Sequence, residues 1–205
     1  MLAVAAITGL GLWLIAAPQF LLEYLFQVVP AISAGTGFFE NHSPGGTVAR
    51  LLDPSTFLGP TRGAPLAARI ITTGIAIAAL GVTFWVLGRP RTDRPGRALE
   101  AAAGVAVGPL VASYSWGTHL VLLLLPMLVL IVWAVRRRDW MVLGLVATGW
   151  LLIGPGHKLL QSLMVSGFTN IAVLRLLAEF GVVGIMCVWV ATLLALRRDR
   201  STARS

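Results

Sequence analysis

The stretch HLVLLLLPMLVLIVWAVRRR, residues 119–138, joins a long apolar run to a cluster of arginines. No acidic or basic residue lies between His119 and Val135, and a run of this length approaches the roughly 20 residues that a helix needs to cross a bilayer. Arginines directly after such a run are typical of the cytoplasmic end of a membrane helix. The stretch therefore predicts a transmembrane helix of defined direction.

Similar apolar runs lie on both sides of this stretch. They occupy residues 2–17, 66–88, 98–113, 140–155 and 171–196. In the whole chain 57% of residues are hydrophobic and 12% are charged, and the mean hydropathy is +0.85, so water cannot be the main solvent. The 205 residues suffice for about six spanning helices with loops. The sequence predicts an all-α, polytopic transmembrane helical bundle.

The basic residues give this bundle an orientation. Most of the arginines fall in three clusters, within residues 89–97, 136–138 and 197–204. The positive-inside rule assigns these clusters to the cytoplasm. Both ends of the segment 98–135 are then cytoplasmic, so the chain must cross twice there and residues 113–118 become an external turn. We expect a multi-pass protein of the cell membrane.

The number and direction of these membrane crossings also set the domain organisation. We expect a single transmembrane domain over residues 1–196, with a long external loop over 18–65, and a polar, frayed cytoplasmic tail over 197–205. The run 2–17 has no basic segment before it and no clear cleavage site after it, which favours a membrane helix over a signal peptide. Its abrupt apolar start fits a chain that begins partway through a larger membrane protein.

The sequence argues against a nucleic-acid-binding protein, an intrachain disulfide and a metal site. The net charge of +8 does not indicate a nucleic-acid-binding protein, because the charges flank apolar runs instead of covering one face of a soluble domain. The single cysteine, Cys187, excludes an intrachain disulfide. No metal-binding motif or carboxylate cluster occurs, and the three histidines are far apart in sequence, so we predict neither a metal nor a cofactor.

The loop over residues 18–65 is the first candidate for function. Long loops in compact units tend to be functional, and residues 24–29 and 47–52 are candidates for short helices on the membrane surface. The loop carries Glu40, Asn41, His42, Ser43 and Arg50. The alternative is an interface loop whose polar residues only face water.

Two further polar segments are predicted at the same face. The first is the turn at Ser113, Ser115, Trp116 and His119, and the second is the next external turn, at His157 and Lys158. Cationic and hydrogen-bonding groups at the headgroup level suit a phosphate carried on a lipid. We therefore predict an external lipid-phosphate site. Alternatively, Trp116 belongs to an interfacial aromatic belt and His119 only caps the turn.

Two motifs within residues 18–135 resemble a known family. They are Asn41-His42-Ser43-Pro44-Gly45-Gly46 with Arg50-Leu51-Leu52, and the later Ser113-Tyr114-Ser115-Trp116-Gly117-Thr118-His119, followed by Pro126. This pattern resembles the bacterial polyprenol-phosphate-mannose-dependent mannosyltransferases of glycosyltransferase family eighty-seven. The resemblance implies a membrane glycosyltransferase fold of the C type. It also implies transfer of a mannosyl or other hexosyl unit from a polyprenyl-phosphate-linked sugar to a lipid or glycan acceptor.

The resemblance also implies roles for individual residues. His119 would contact the phosphate or sugar of the donor and act in catalysis. The family's aspartate base has no counterpart here, so Glu40 is the first candidate to deprotonate the acceptor, with Glu23 and Asp53 as alternatives. Thr118 replaces one histidine of the family pattern. The chain resembles a carboxy-terminal portion, which makes an amino-terminal half an expected partner beside membrane lipids. The predicted donor- or acceptor-binding residues are Asn41, His42, Ser43, Arg50, Ser113, Ser115, Trp116, His157 and Lys158.

A transporter or a noncatalytic membrane subunit is the alternative. Gly9, Gly11, Gly181 and Gly184 permit close packing of helices. The interiors of the apolar runs contain almost no ionisable residues, which argues against ion transport. Nothing in the sequence excludes a structural subunit.

Overall fold

The computed structural model describes residues 9, 11, 22–28, 35–59, 63–88 and 90–202, and in these ranges it contains helices and no strand. The α-helices are α1 (Pro44–Leu52), α2 (Leu66–Leu87), α3 (Arg94–Val111), α4 (Leu124–Arg137), α5 (Trp140–Leu151), α6 (His157–Val165), α7 (Ile171–Ala178) and α8 (Phe180–Thr202). Short 3-10 helices cover Pro54–Leu58 and His119–Leu123, and π-helical turns cover Tyr24–Val28 and Leu152–Gly156. The prediction of an all-α bundle is confirmed.

Among the described residues, four segments are long and apolar enough to cross a membrane. They are Leu66–Leu87, His119–Arg137, Trp140–Val165 and Ile171–Arg200. Their outer faces carry large apolar side chains, such as Phe84, Trp85 and Leu128, of which 62–73% is exposed. Such surfaces are stable only in a non-aqueous surrounding, and the chain is therefore a membrane protein.

The two other predicted spans differ from these four. Helix α3 occupies the run 98–113 but begins earlier, with Arg94, Arg97 and Glu100 in its first turns. These charges make it less apolar than the four segments, although Ala102, Ala106 and other small residues of its inner face are buried. The run 2–17 lies outside the described residues except for Gly9 and Gly11, so the expected number of six crossings stays a prediction.

Helix α8 forms the centre of the bundle. It packs against α5, α3 and α4, and most of the apolar core lies between these helices. Helices α5 and α8 approach backbone to backbone. A Cβ atom on Gly149 would lie 3.0 Å from the Gly184 carbonyl oxygen, and one on Gly184 would lie 2.9 Å from that of Gly149. The prediction that Gly184 permits close helix packing is confirmed.

The bundle has two chemically different ends. One end, the basic end, gathers the arginines of residues 91–97, 136–138 and 197–200, and the other, the loop end, carries residues 35–59. At the basic end Asp199 is buried and accepts hydrogen bonds from Arg91, Arg137 and the Trp133 indole. The expectation of a frayed tail from residue 197 is therefore wrong up to Thr202, because this buried carboxylate holds the last turns of α8 in place.

The structure differs from the external turn predicted at His157 and Lys158. His157 and Lys158 lie in helix α6, and the actual turn covers only residues 166–170. Pro155 does not end the helix because it lies in a π-helical turn, whose wider spacing accommodates its missing N–H. Helix α6 then buries Leu160 against Phe57 and Leu174, which fixes the direction in which His157 points.

Candidate functional site

Asn41 joins the loop end to the turn after α3. Its side chain is fully buried, and its amide nitrogen donates to the carbonyl oxygens of Thr36, at 2.8 Å, and Ser113, at 3.1 Å. Its amide oxygen accepts from the backbone N–H groups of Ser43, at 3.2 Å, and Ser115, at 3.0 Å. Both N–H groups and both lone pairs of the Asn41 side-chain amide therefore have partners. Asn41 therefore holds two distant segments together.

Ser43 starts helix α1 beside this junction. Its hydroxyl accepts from the Gly46 N–H at 3.1 Å as an N-cap and donates to the Ser113 carbonyl oxygen at 3.2 Å. Pro44 at the first helical position loses no hydrogen bond there. The cap sets the direction of α1, which directs Arg50 toward the first residues of α8.

Arg50 is buried, with 3% of its surface exposed. Its Nε donates to Glu179 Oε1 at 2.8 Å, and its Nη2 donates to Glu179 Oε2 at 3.1 Å and to the Thr47 hydroxyl at 3.3 Å. Its Nη1 donates to the carbonyl oxygens of Phe38, at 3.1 Å, and Asn41, at 2.9 Å. All five guanidinium N–H groups thus have acceptors within the chain. Arg50 fastens α1 to the start of α8 and has no N–H left for a ligand.

His42 and His157 form a pair of rings next to this ion pair. The ring centroids are 4.7 Å apart in an edge-to-face arrangement, and only 1% of His42 is exposed. Among the described residues, neither ring nitrogen of His42 nor Nδ1 of His157 has a hydrogen-bond partner. Buried polar atoms without partners are rare and costly, which marks this pair as unusual.

Burial lowers the pKa of His42 to about 3, and the positive charges of His157 and Arg50 act in the same direction. The backbone of Ala178 lies near the ring and opposes this shift without meeting hydrogen-bond geometry. His42 is therefore a neutral imidazole across the physiological pH range. One of its ring nitrogens can donate a hydrogen bond and the other can accept one, but the ring presents no charge to a ligand.

Charged and polar groups surround the exposed side of His157. The half-buried Glu40 interacts with it electrostatically, and so does the exposed Lys158. A Cβ atom on Gly117 would lie 3.5 Å from His157 Nε2, so the turn after α3 passes directly over the ring. A carboxylate, two imidazole rings and an ammonium group thus lie in one neighbourhood.

A cavity of about 680 Å³ opens beside His157, between α4 and the α5–α6 segment. Its wall is mostly apolar and includes Leu124, Met127, Trp150 and Ile153. Its polar part consists of His157, Lys158, Gln161 and Thr118. An apolar channel with one polar, cationic end suits a lipid with an anionic headgroup.

His119 and Trp116 lie apart from the histidine pair. His119 is exposed, and its Nδ1 accepts from the Trp116 N–H at 3.4 Å, which closes the turn. Trp116 is 44% exposed and meets Tyr114 edge to face at 6.3 Å. No hydrogen bond or ring contact among the described residues joins His119 to His42 or His157. The catalytic role of His119 stays a prediction, and its contact is the one expected of a residue that caps the turn.

The structure brings together the three segments singled out in the sequence. Asn41 and the backbone N–H of His42, which donates to the Ser115 carbonyl oxygen at 2.8 Å, join the loop to the turn after α3. The ring contact between His42 and His157 joins the loop to helix α6. Sequence reasoning missed Glu179 as the partner of Arg50. A carboxylate within the apolar run 171–196 was the available signal, because such a charge requires a partner.

The described residues contain no group of three His, Cys, Asp or Glu side chains placed to hold a metal ion. No protein-family model, no curated protein and no solved structure matches the chain.

Proposed function

We propose that this membrane protein binds a polyprenyl-phosphate-linked sugar in the cavity beside His157 and takes part in transferring its mannosyl or other hexosyl unit to a lipid or glycan acceptor. The loop end would face the outside of the cell, because the arginine clusters lie at the opposite end. The protein would be a multi-pass protein of the cell membrane. An additional chain segment or subunit would be its partner if it is part of a larger glycosyltransferase.

The observation that supports this proposal is the polarity of the cavity. Its apolar wall can accept a polyprenyl chain, and Lys158, at the polar end, can pair with the phosphate. His157 lies at the same end, and its imidazole can form a hydrogen bond with a hydroxyl group of a sugar.

In this proposal Glu40 is the base, and it interacts electrostatically with His157, which lines the cavity. The acceptor hydroxyl oxygen would form a bond to the anomeric carbon while the bond between that carbon and the phosphate oxygen breaks. The hydroxyl proton would pass to the Glu40 carboxylate, and polyprenyl phosphate would leave with its new negative charge paired to Lys158.

The test is the transfer of radiolabelled mannose from polyprenyl-phosphate-mannose into lipid-extractable product. It uses membranes that contain the chain alone and membranes that also contain any accompanying segment or subunit. We expect Glu40→Gln to abolish transfer and Lys158→Met to weaken donor binding roughly tenfold, about 1.4 kcal/mol. The matched controls are Glu23→Gln and Arg97→Met, which change exposed residues outside the cavity. No transfer in either membrane preparation would refute the catalytic proposal.

A noncatalytic membrane subunit is the second candidate. This candidate is favoured because Asn41 and Arg50 form their hydrogen bonds with other residues of the chain, where they hold segments together, and not with a ligand. A photoreactive polyprenyl phosphate separates the two cases. Labelling near Lys158 without transfer supports a lipid-binding subunit, whereas the absence of labelling excludes a lipid-phosphate site in this cavity.

A further inference from the structure

A second cavity, of about 600 Å³, lies at the basic end between α3 and α4. Helix α4 contributes to both cavities, with Leu124 in the first and Arg136 in the second. The two cavities share no lining residue, and their polar ends lie toward opposite ends of α4. The second cavity is therefore distinct from the proposed sugar-transfer site.

The wall of the second cavity is apolar and open toward the surroundings of the bundle. Ala98 and Leu99 of α3 face Leu128, Val132 and Trp133 of α4 across it. Leu128 is 62% exposed and Val132 is 52% exposed, so the cavity opens at the surface that the membrane covers. The wall can accept an extended hydrocarbon chain along the helices.

The mouth of this cavity is cationic. Arg94 and Arg136 line it, are exposed, and have no side-chain hydrogen bond or ion pair with any described residue. Arg137 also lines it and bonds to Asp199 at 3.1 Å. Asp199 is the one carboxylate in the lining, and Arg91, at 2.6 Å, and the Trp133 indole, at 2.9 Å, also satisfy it. The mouth therefore keeps an excess of positive charge.

We propose that this cavity binds an anionic glycerophospholipid, with its phosphate between Arg94 and Arg136 and one acyl chain along the apolar wall. Basic pockets between transmembrane helices bind anionic headgroups in this way. A free phosphate would leave the apolar wall uncovered. An uncharged lipid would leave two arginines without a partner, so charge and shape together select a lipid phosphate. The bound lipid bridges α3 and α4 and stabilises the basic end.

The experiment measures lipid binding to the purified protein in detergent, by native mass spectrometry and by the shift of the melting temperature. The probes are phosphatidylglycerol, phosphatidylcholine and inorganic phosphate. We expect phosphatidylglycerol to bind and to raise the melting temperature. Each arginine near the headgroups contributes on the order of a fivefold change in affinity. The double variant Arg94→Gln/Arg136→Gln should therefore bind phosphatidylglycerol roughly tenfold to thirtyfold more weakly.

The control Arg97→Gln/Arg138→Gln removes the same charge from the same two regions. Both residues are exposed, and neither lines the cavity. A second pair of variants tests the wall without a change of charge. Ala98→Trp fills the cavity and should weaken phosphatidylglycerol binding, whereas Ala101→Trp, on the exposed face of α3 outside the cavity, should not.

Three outcomes would overturn the proposal. Equal binding of phosphatidylcholine would reduce the site to an apolar groove. Stabilisation by inorganic phosphate to the same extent would show a site for a free anion. An equal loss of affinity in both double variants would show only a general effect of charge. Because none of these measurements requires sugar transfer, the result is independent of the activity proposed for the other cavity.

Discussion

The guanidinium of Arg50 and the carboxylate of Glu179 form a two-point ion pair across 129 residues of sequence, with Nε and Oε1 2.8 Å apart. The pair joins α1 to the residue at which α7 gives way to α8. The Thr47 hydroxyl donates to the same carboxylate. The pair therefore fixes the position of His42, which lies between the two elements.

Glu179→Gln leaves the buried Arg50 without its counter-charge. Removing one partner of a buried pair costs about 3–5 kcal/mol, and the 27% exposure of the Glu179 side chain reduces this to about 2–3 kcal/mol. We expect this loss in the free energy of unfolding in detergent. Glu23→Gln, at an exposed carboxylate, should have no effect. Normal stability of Arg50→Met together with impaired donor binding would instead assign Arg50 to a ligand site.

Stability should depend on pH through His42. Its pKa falls from an ordinary value near 6.5 to about 3 in the folded protein, so below pH 6.5 the unfolded chain binds a proton that the folded chain does not. The contribution is constant above pH 6.5. Below it the free energy of unfolding falls by about 1.4 kcal/mol per pH unit, or about 2 kcal/mol at pH 5.

The measurement is the melting temperature between pH 8 and pH 5 for the native chain and for His42→Gln. The variant should lose much of the slope below pH 6.5. His119→Gln, which changes an exposed histidine of the turn, is the matched control. An unchanged slope in His42→Gln would show that the imidazole is protonated in the folded state.

Gly181→Ala should disturb the histidine pair. The added Cβ atom would overlap the His42 ring and lie 2.7 Å from His42 Cβ, with no flexible side-chain end to move away. Overpacking of this kind costs about 1–3 kcal/mol. Gly144→Ala in α5 is the matched control, because nothing lies within 4 Å of its added Cβ. We expect a lower melting temperature only for Gly181→Ala, and equal values would contradict the close contact.

The variant Thr83→Val tests how much a hydrogen bond between two helices adds to the stability that a bond within one helix provides. The Thr83 hydroxyl donates to the Ala79 carbonyl oxygen at 2.7 Å and accepts from the Trp189 indole at 2.9 Å. Thr73 makes the same bond within the helix, to the Arg69 carbonyl oxygen at 2.8 Å, but is exposed. We expect Thr83→Val to lower the free energy of unfolding by roughly 0.6–1 kcal/mol more than Thr73→Val. Equal effects would show that the indole finds another acceptor.

The sequence was sufficient to predict the helices and the approach of the polar segments. Apolar runs of nearly spanning length predict membrane helices directly. The arginine clusters place both ends of the segment 98–135 on one side of the membrane, which requires a turn at residues 113–118. The structure has that turn between α3 and the helix at His119–Leu123. The turn brings Ser113 and Ser115 to Asn41.

The sequence was not sufficient to predict how the polar residues are used. Whether Arg50 contacts a ligand or a carboxylate depends on which helix end lies beside it, and no local pattern encodes the pairing with Glu179. His157 was placed in a turn because polar residues follow the apolar run 140–155, whereas the π-helical turn at Leu152–Gly156 keeps the chain helical there. Residues 197–202 look like a polar tail until the buried position of Asp199 is known.

Helix α8 supplies the acidic partner at the basic end and begins next to the acidic partner at the loop end, with consequences for biosynthesis. A ribosome makes Arg50, Arg91 and Arg137 before it makes Glu179 and Asp199. During insertion Arg50 and Arg137 therefore face lipid headgroups or the translocation machinery before their carboxylates are made, whereas Arg91 already has Asp93 as a partner. Synthesis of the segment from Glu179 to Asp199 then completes three ion pairs, so the order of translation makes the assembly of the two ends of the bundle a late and coupled event.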